Sequence, residues 1–184
     1  MRTFVSRAGL KLDHALDAFA IDVAGLACAD LGCNAGGFTD CLLQRGATKV
    51  YAVDTGYGMF DYRLRKDPRV VVMERTNAMH VMLPEPIDLI VIDVAWTRQS
   101  HILPAARRLL KREGSVVTLV KPHYEADAAW LRGGVLIDER MPDVMARVEA
   151  DFVAAGFEQR GLTTSPIKGT KGNVELLASL VIRG

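Results

Sequence analysis

The chain has 184 residues, of which 49% are hydrophobic and 24% charged, and its net charge is +1. This is enough chain to bury a core, and too apolar a chain for intrinsic disorder. No apolar run reaches the roughly 18–20 residues that span a bilayer, residues 1–11 lack the apolar stretch of a signal peptide, and near-neutral charge excludes a broad basic footprint for nucleic acid.

The predicted elements alternate along the chain. Residues 6–19 form an amphipathic helix, with Leu12, Leu16 and Phe19 on one stripe. Residues 26–31 form a short apolar strand, 37–44 a helix, 49–54 (KVYAVD) and 70–74 (VVVME) two more strands, and 89–93 (LIVID) a fourth. Residues 102–112 form a helix stopped by Gly114, 115–120 a fifth strand, and 142–155 a helix ended by Gly156. Two last strands, near 158–163 and 174–182, are separated by a loop at 164–173, too short for a crossover, so they form an antiparallel hairpin at the sheet edge. Near-continuous apolar strands indicate burial on both faces. The expectation is an α/β fold, doubly wound, in one domain over residues 1–184 with a helical segment at 1–22 packed on it.

Cys28, Cys33 and Cys41 are odd in number and form no CxxC pair, which suits free thiols in a reducing cytoplasm. His14, His80, His101 and His123 are scattered, so no metal site is expected.

Between the first strand and its helix runs DLGCNAGGF (residues 30–38), with spacing DxGxxxGG. Glycines let a backbone turn tightly and approach a ligand closely. The spacing differs from the GxGxxG that seats a pyrophosphate on a helix N-terminus, which disfavours a dinucleotide oxidoreductase. It suits a ligand with an amino-acid tail and a sulfonium, and Asp30 is a candidate partner for those positive charges. Asp54, after the second strand, is placed to accept from two ribose hydroxyls. Both aspartates also read as ordinary strand-end residues.

Several segments together resemble the FtsJ-like, hemolysin-A-type methyltransferases of ribosomal RNA: VSRAGLKL (5–12), DLGCNAGGFTD (30–40), YAVDTGY (51–57), DPRVVVMERTN (67–77), IDV (92–94), VKPHYE (120–125), RGGVLID (132–138), SPIKG (165–169) and GNVE (172–175). The resemblance implies a Rossmann-like class I methyltransferase fold, a mostly parallel seven-stranded sheet closed by an antiparallel hairpin. It implies S-adenosyl-L-methionine as cofactor, ribosomal RNA or a ribosomal subunit as partner, and methylation of a ribose 2′-hydroxyl. By position it implies a catalytic tetrad of Lys11, Asp93, Lys121 and Glu175, with Lys121 central, Asp93 and Glu175 orienting it, and Lys11 holding the hydroxyl or a neighbouring phosphate. The implied cofactor residues are Asp30, Gly32, Asn34, Gly36, Gly37, Phe38, Asp54, Asn77 and Asp93.

The chain departs from the family pattern in three places. The family usually carries a small RNA-binding module ahead of the segment that matches residues 5–12, and here no separate module is expected, so an accessory RNA-binding chain becomes a candidate partner. After Asp93 the chain reads Ala95-Trp96-Thr97-Arg98-Gln99 in place of a run ending in Ile-Ser, and Trp96 and Arg98 could stack on or grip a nucleotide, while Trp96 could equally pack in the core. Cys33-Asn34-Ala35 replaces a Ser-Thr pair. Of the basic clusters, Arg107–Arg112 reads as a solvated helix face, while Lys168 and Lys171 are the candidates for phosphate contact. Three other readings compete: a methyltransferase for a small-molecule acceptor, a non-catalytic RNA- or cofactor-binding protein, and a membrane-active hemolysin, which the lack of any membrane segment disfavours.

Overall fold

The computed structural model describes residues 2–184. A helix, α1 (Ala8–Ala18), leads into β1 (Ala27–Leu31), α2 (Gly37–Gln44), β2 (Lys49–Val53), α3 (Tyr62–Arg65), β3 (Val70–Met73), β4 (Ile87–Ile92), α4 (Gln99–Leu109) and β5 (Leu110–Val120). Then come α5 (Pro122–Glu125), the short strands β6 (Leu131–Arg132) and β7 (Val135–Leu136), α6 (Met141–Ala154), β8 (Phe157–Thr164) and β9 (Leu176–Ile182).

Seven strands make one sheet in the order β3-β2-β1-β4-β5-β9-β8. The first five pair in parallel, and β9 runs antiparallel between β5 and β8. This is the expected doubly wound plan, with β8 on the edge and β9 as the one reversed strand.

Alternate residues of each strand face different layers. On one side Cys28, Val50, Leu89, Val91 and Val117 pack under Leu12 and Leu16 of α1 and Phe38 and Leu42 of α2. On the other, Ala29, Val53, Ile90, Ile92 and Val116 pack under Ile102 and Leu103 of α4 and Val144, Val148 and Phe152 of α6. Covering both faces is why these strands read as apolar runs and not as alternating ones.

The largest departures from the expected boundaries are at α4 and β5. The helix at 102–112 spans Gln99–Leu109 instead, and residues from Leu110 onward belong to β5. Leu110 pairs with Ile87, and Lys111 Nζ lies 2.6 Å from Asp88 Oδ1, so strand pairing outcompetes the helical register. Gly114 is therefore no helix stop: it lies in the bulge between the Ile87–Leu110 and Leu89–Ser115 pairings, where a Cβ would lie 2.9 Å from Asp88 O. The basic run 107–112 consequently does not share one helix face. Sequence reading also left out α3, α5 and the β6–β7 hairpin, which are too short to carry a periodicity.

Strand order reverses between β1 and β4, because β2 lies on the far side of β1 and β5 on the far side of β4. Ligands of open α/β sheets sit beyond the carboxyl ends of strands at such a reversal. Gly32, Asp54, Asp93 and Lys121 each follow directly on β1, β2, β4 or β5.

Candidate active site

Two adjoining cavities open at this switch point. One, of about 330 Å³, is lined by residues that include Lys11, Phe38, Asp93, Lys121, His123 and Glu175. The other, of about 340 Å³, is lined by residues that include Asp54, Thr76, Asn77, Trp96 and Thr97. Gly32, Asn34, Asp93 and Ala95 line both, so Asp93 stands on the boundary between them.

The glycine loop is shaped by what its backbone must approach. Gly32 has φ +92°, and a Cβ there would lie 2.5 Å from the Asp93 carbonyl oxygen, so glycine lets β1 and β4 close on each other at the cavity floor. Asn34 takes φ +45°, and its N–H donates to Asp54 Oδ2 at 2.9 Å. Asp54 Oδ1 accepts from Gly56 N–H at 2.7 Å. The carboxylate that ends β2 is thus fixed by two backbone donors on the wall of the second cavity.

Three of the residues expected to contact a cofactor line neither cavity. Asp30 is fully buried; Thr39 Oγ1 donates to its Oδ2 at 2.7 Å, and Oδ1 has no partner. Its carboxylate lies against Thr39 of α2, behind the loop that lines both cavities. Burial, offset in part by the Thr39 hydrogen bond and reinforced by the Asp93 and Asp54 charges, pushes the Asp30 carboxyl up to about 7. Gly36 and Gly37 make space: a side chain at 36 would strike Phe60 and Leu64, and one at 37 would strike Ser6, just ahead of α1, and Gly9 within it.

All four tetrad residues line the first cavity, arranged as two ion pairs. Lys121 Nζ lies 2.6 Å from Asp93 Oδ1 and donates to Val94 O at 2.9 Å. Lys11 Nζ donates to Glu175 Oε2 at 2.5 Å. The expectation that Glu175 orients Lys121 is therefore corrected: the carboxylate just before β9 belongs to the lysine of α1. The second pair is the drier one, with side-chain exposures of 10% and 5% against 14% and 19% for Lys121 and Asp93. Gly169 makes room for it, since any side chain there would collide with the Glu175 carboxylate.

The FtsJ-like methyltransferase family matches residues 4–181 of this chain. Hemolysin A of Brachyspira hyodysenteriae is 40% identical over 185 residues, covering 97% of this chain and 77% of that protein. The 16S/23S rRNA (cytidine-2′-O)-methyltransferase TlyA of Mycobacterium tuberculosis is 44% identical over 183 residues, 95% of this chain and 67% of its own. The chain belongs to the FtsJ-like methyltransferase family. A solved hemolysin-named protein of Streptococcus thermophilus has a TM-score of 0.96 at 38% identity, covering 100% of this chain and 68% of that one. Solved methyltransferases at 17% identity share the fold alone.

The proposed acceptor-side residues of this family member divide. Trp96 is 84% exposed, with φ +59°, and lies against Tyr124 with ring centroids 4.9 Å apart, so it is a surface ring on the cleft wall and not a core residue. Arg98 and Lys168 are exposed but line neither cavity. Lys171 Nζ donates to Gly133 O at 2.8 Å, which ties it to the β6–β7 hairpin. Asn173 reinforces that tie: Nδ2 donates to Gly134 O and Oδ1 accepts from Leu136 N–H.

Sequence reading assigned no role to Ser6, Arg7, His123, Tyr124 or Thr170, all of which line the first cavity. The signal for His123 and Tyr124 was their place in the same motif as Lys121. His123 Nδ1 is buried without a partner, and burial, opposed by the Glu175 charge, holds the imidazole below its usual range.

Proposed function

We propose that this protein methylates a ribose 2′-hydroxyl of ribosomal RNA with S-adenosyl-L-methionine. The observation that carries the reading is the convergence of Lys11–Glu175 and Lys121–Asp93 on one cavity, next to a second cavity walled by Asp54 and Asn77. The names of the TlyA relatives support the RNA acceptor.

Asp54 and Asn77 would hold the ribose and base of the cofactor, with Gly32 and Asn34 beside its amino-acid end and Asp93 at the junction. When bound, S-adenosylmethionine supplies a methyl group already activated by a positive sulfur, so much of the remaining rate comes from positioning. Lys121 pairs with Asp93 and donates one N–H to Val94 O, which leaves its nitrogen free to turn a further direction to the acceptor oxygen. We assign that direction to the reacting hydroxyl: Lys121 gives one proton to the Asp93 carboxylate, and the lone pair so freed takes the hydroxyl proton as the oxygen gains its methyl group, so that the proton lost from the hydroxyl is balanced by the one gained on Asp93. Lys11, held by Glu175, stabilises negative charge on the oxygen or a neighbouring phosphate. Reaction in a cytoplasmic setting and help from an accessory RNA-binding chain belong to the same proposal.

Asp54→Ala is expected to weaken S-adenosylmethionine binding by about 1–3 kcal/mol, the worth of charge-assisted ribose hydrogen bonds. Calorimetry checks this, and tight NAD binding with no S-adenosylmethionine signal would refute the cofactor assignment. Binding to naked RNA is expected to be weak and steeply salt-dependent, because net charge is +1 and contacts must be few and mostly to phosphates. Sub-micromolar binding that survives high salt would contradict it. The reading as a whole is tested by offering labelled S-adenosylmethionine with ribosomal subunits and, separately, a small-molecule panel. Label in ribosomal RNA is expected, and label confined to small molecules would replace the acceptor.

A further inference from the structure

The loop from Asp93 to Gln99 is fastened at three points, and all three fasteners come from residues 121–125. Lys121 holds its start through Asp93 and Val94 O. Tyr124 stacks on Trp96 in its middle. At its end, Glu125 Oε1 accepts the Gln99 backbone N–H at 3.0 Å.

The third contact does work that the local sequence leaves undone. Helix α4 begins at Gln99, and its N-cap residue, Arg98, provides no side-chain cap. The first-turn N–H groups of a helix need partners. Gln99 is 2% exposed and its side chain is engaged elsewhere: Thr118 Oγ1 donates to its Oε1 at 2.9 Å and its Nε2 donates to Leu119 O at 3.3 Å, both on β5. Glu125, itself 5% exposed, supplies the missing acceptor from α5.

We propose that Glu125 is a positioning residue that caps α4 from outside and thereby fixes the loop at 94–98, with Trp96, as a wall of the cleft. The inference rests on reading that loop as part of the reaction site. A carboxylate at a helix N-terminus is favoured by the exposed N–H groups and the helix dipole, so the ionised form makes the stronger cap. Burial pushes the Glu125 carboxyl up to about 7, with the Gln99 N–H pulling it back, Asp151 of α6 raising it and Arg98 at the start of α4 lowering it. His123 and Tyr124 are the other titratable groups on α5 itself. Because the folded state binds this proton more tightly than the unfolded chain, ionisation costs fold stability as pH rises from the ordinary carboxylate range to about 7. The loop is then held best in the form of the protein that is less stable.

The test uses Trp96 as reporter, with Trp130→Phe removing the only other tryptophan. In that background, the time-resolved anisotropy of Trp96 should report slower local motion as pH rises through about 7. Glu125→Gln should abolish the pH step, and should melt above wild type on the alkaline side, with the gap closing in acid. Glu125→Ala should leave Trp96 mobile at every pH and raise the acceptor KM on ribosomal subunits by about 10-fold with little change in kcat, while Glu125→Gln, whose amide oxygen still accepts the Gln99 N–H, recovers part of that loss. Unchanged anisotropy and KM in Glu125→Ala would overturn the proposal. So would equal loss of melting temperature and equal anisotropy in both variants, since that pattern describes a merely structural residue. If wild type methylates no ribosomal subunit, the functional reading fails while the Trp96 signal still decides the role of Glu125.

Discussion

Lys121→Ala is expected to lower single-turnover methyl transfer by about 100- to 10,000-fold, the usual worth of one acid–base group, while the protein melts near the wild-type temperature and binds cofactor nearly as well. Lys121 sits just beyond β5, at the carboxyl edge of the sheet, and its ammonium reaches the first cavity and not the core. Its partner Asp93 keeps 19% side-chain exposure, so water can replace the ammonium without stranding a dry charge. Removing a group that acts only as the acceptor oxygen develops charge lowers turnover more than ground-state binding. Asp93→Ala is expected to be as severe for transfer. It should also weaken cofactor binding somewhat, because Asp93 lines both cavities.

Lys11→Ala is expected to remove both activity and stability. The lysine comes from a helix otherwise turned to the core by Leu12, Ala15 and Leu16, and it meets Glu175 in a pair whose side chains are 10% and 5% exposed. Taking away one partner leaves a buried charge uncompensated, which costs about 3–5 kcal/mol. Glu175→Ala should be comparably costly, since it strands the Lys11 ammonium. The double variant Lys11→Met with Glu175→Gln removes both charges and should regain most of the melting temperature without regaining transfer. Paired thermal melts and single-turnover rates separate the two effects. A double variant that recovers transfer along with stability would show the pair to be structural.

The fold was largely legible because a sheet covered on both faces writes unbroken apolar runs, and because the glycine-rich loop and the strand-end residues Asp54, Asp93 and Lys121 follow those runs directly. The helix at 102–112 was misplaced because its last residues are recruited by Ile87 and Asp88, partners that local periodicity cannot see. The sequence offered Lys11, Asp93, Lys121 and Glu175, which converge on one cavity, but not the contacts among them. Lys11 and Glu175 are 164 residues apart in the chain, and nothing local distinguishes a Glu175 that orients Lys121 from one that holds Lys11. The surroundings of Asp30 were hidden for a related reason: its buried partner is Thr39 of α2, a contact that the spacing of the loop between them does not reveal. The tie of Lys171 to the Gly133 carbonyl was not legible, because that carbonyl lies in a hairpin too short to announce itself.

The central claim is that the two ion pairs serve a ribose hydroxyl. Its most direct test is to digest ribosomal RNA to nucleosides after reaction with labelled S-adenosylmethionine, and to identify the labelled nucleoside by mass spectrometry, with Lys121→Ala in parallel. The account predicts a single 2′-O-methyl nucleoside that is absent with Lys121→Ala. A label on a base, or an equal yield from Lys121→Ala, would contradict it.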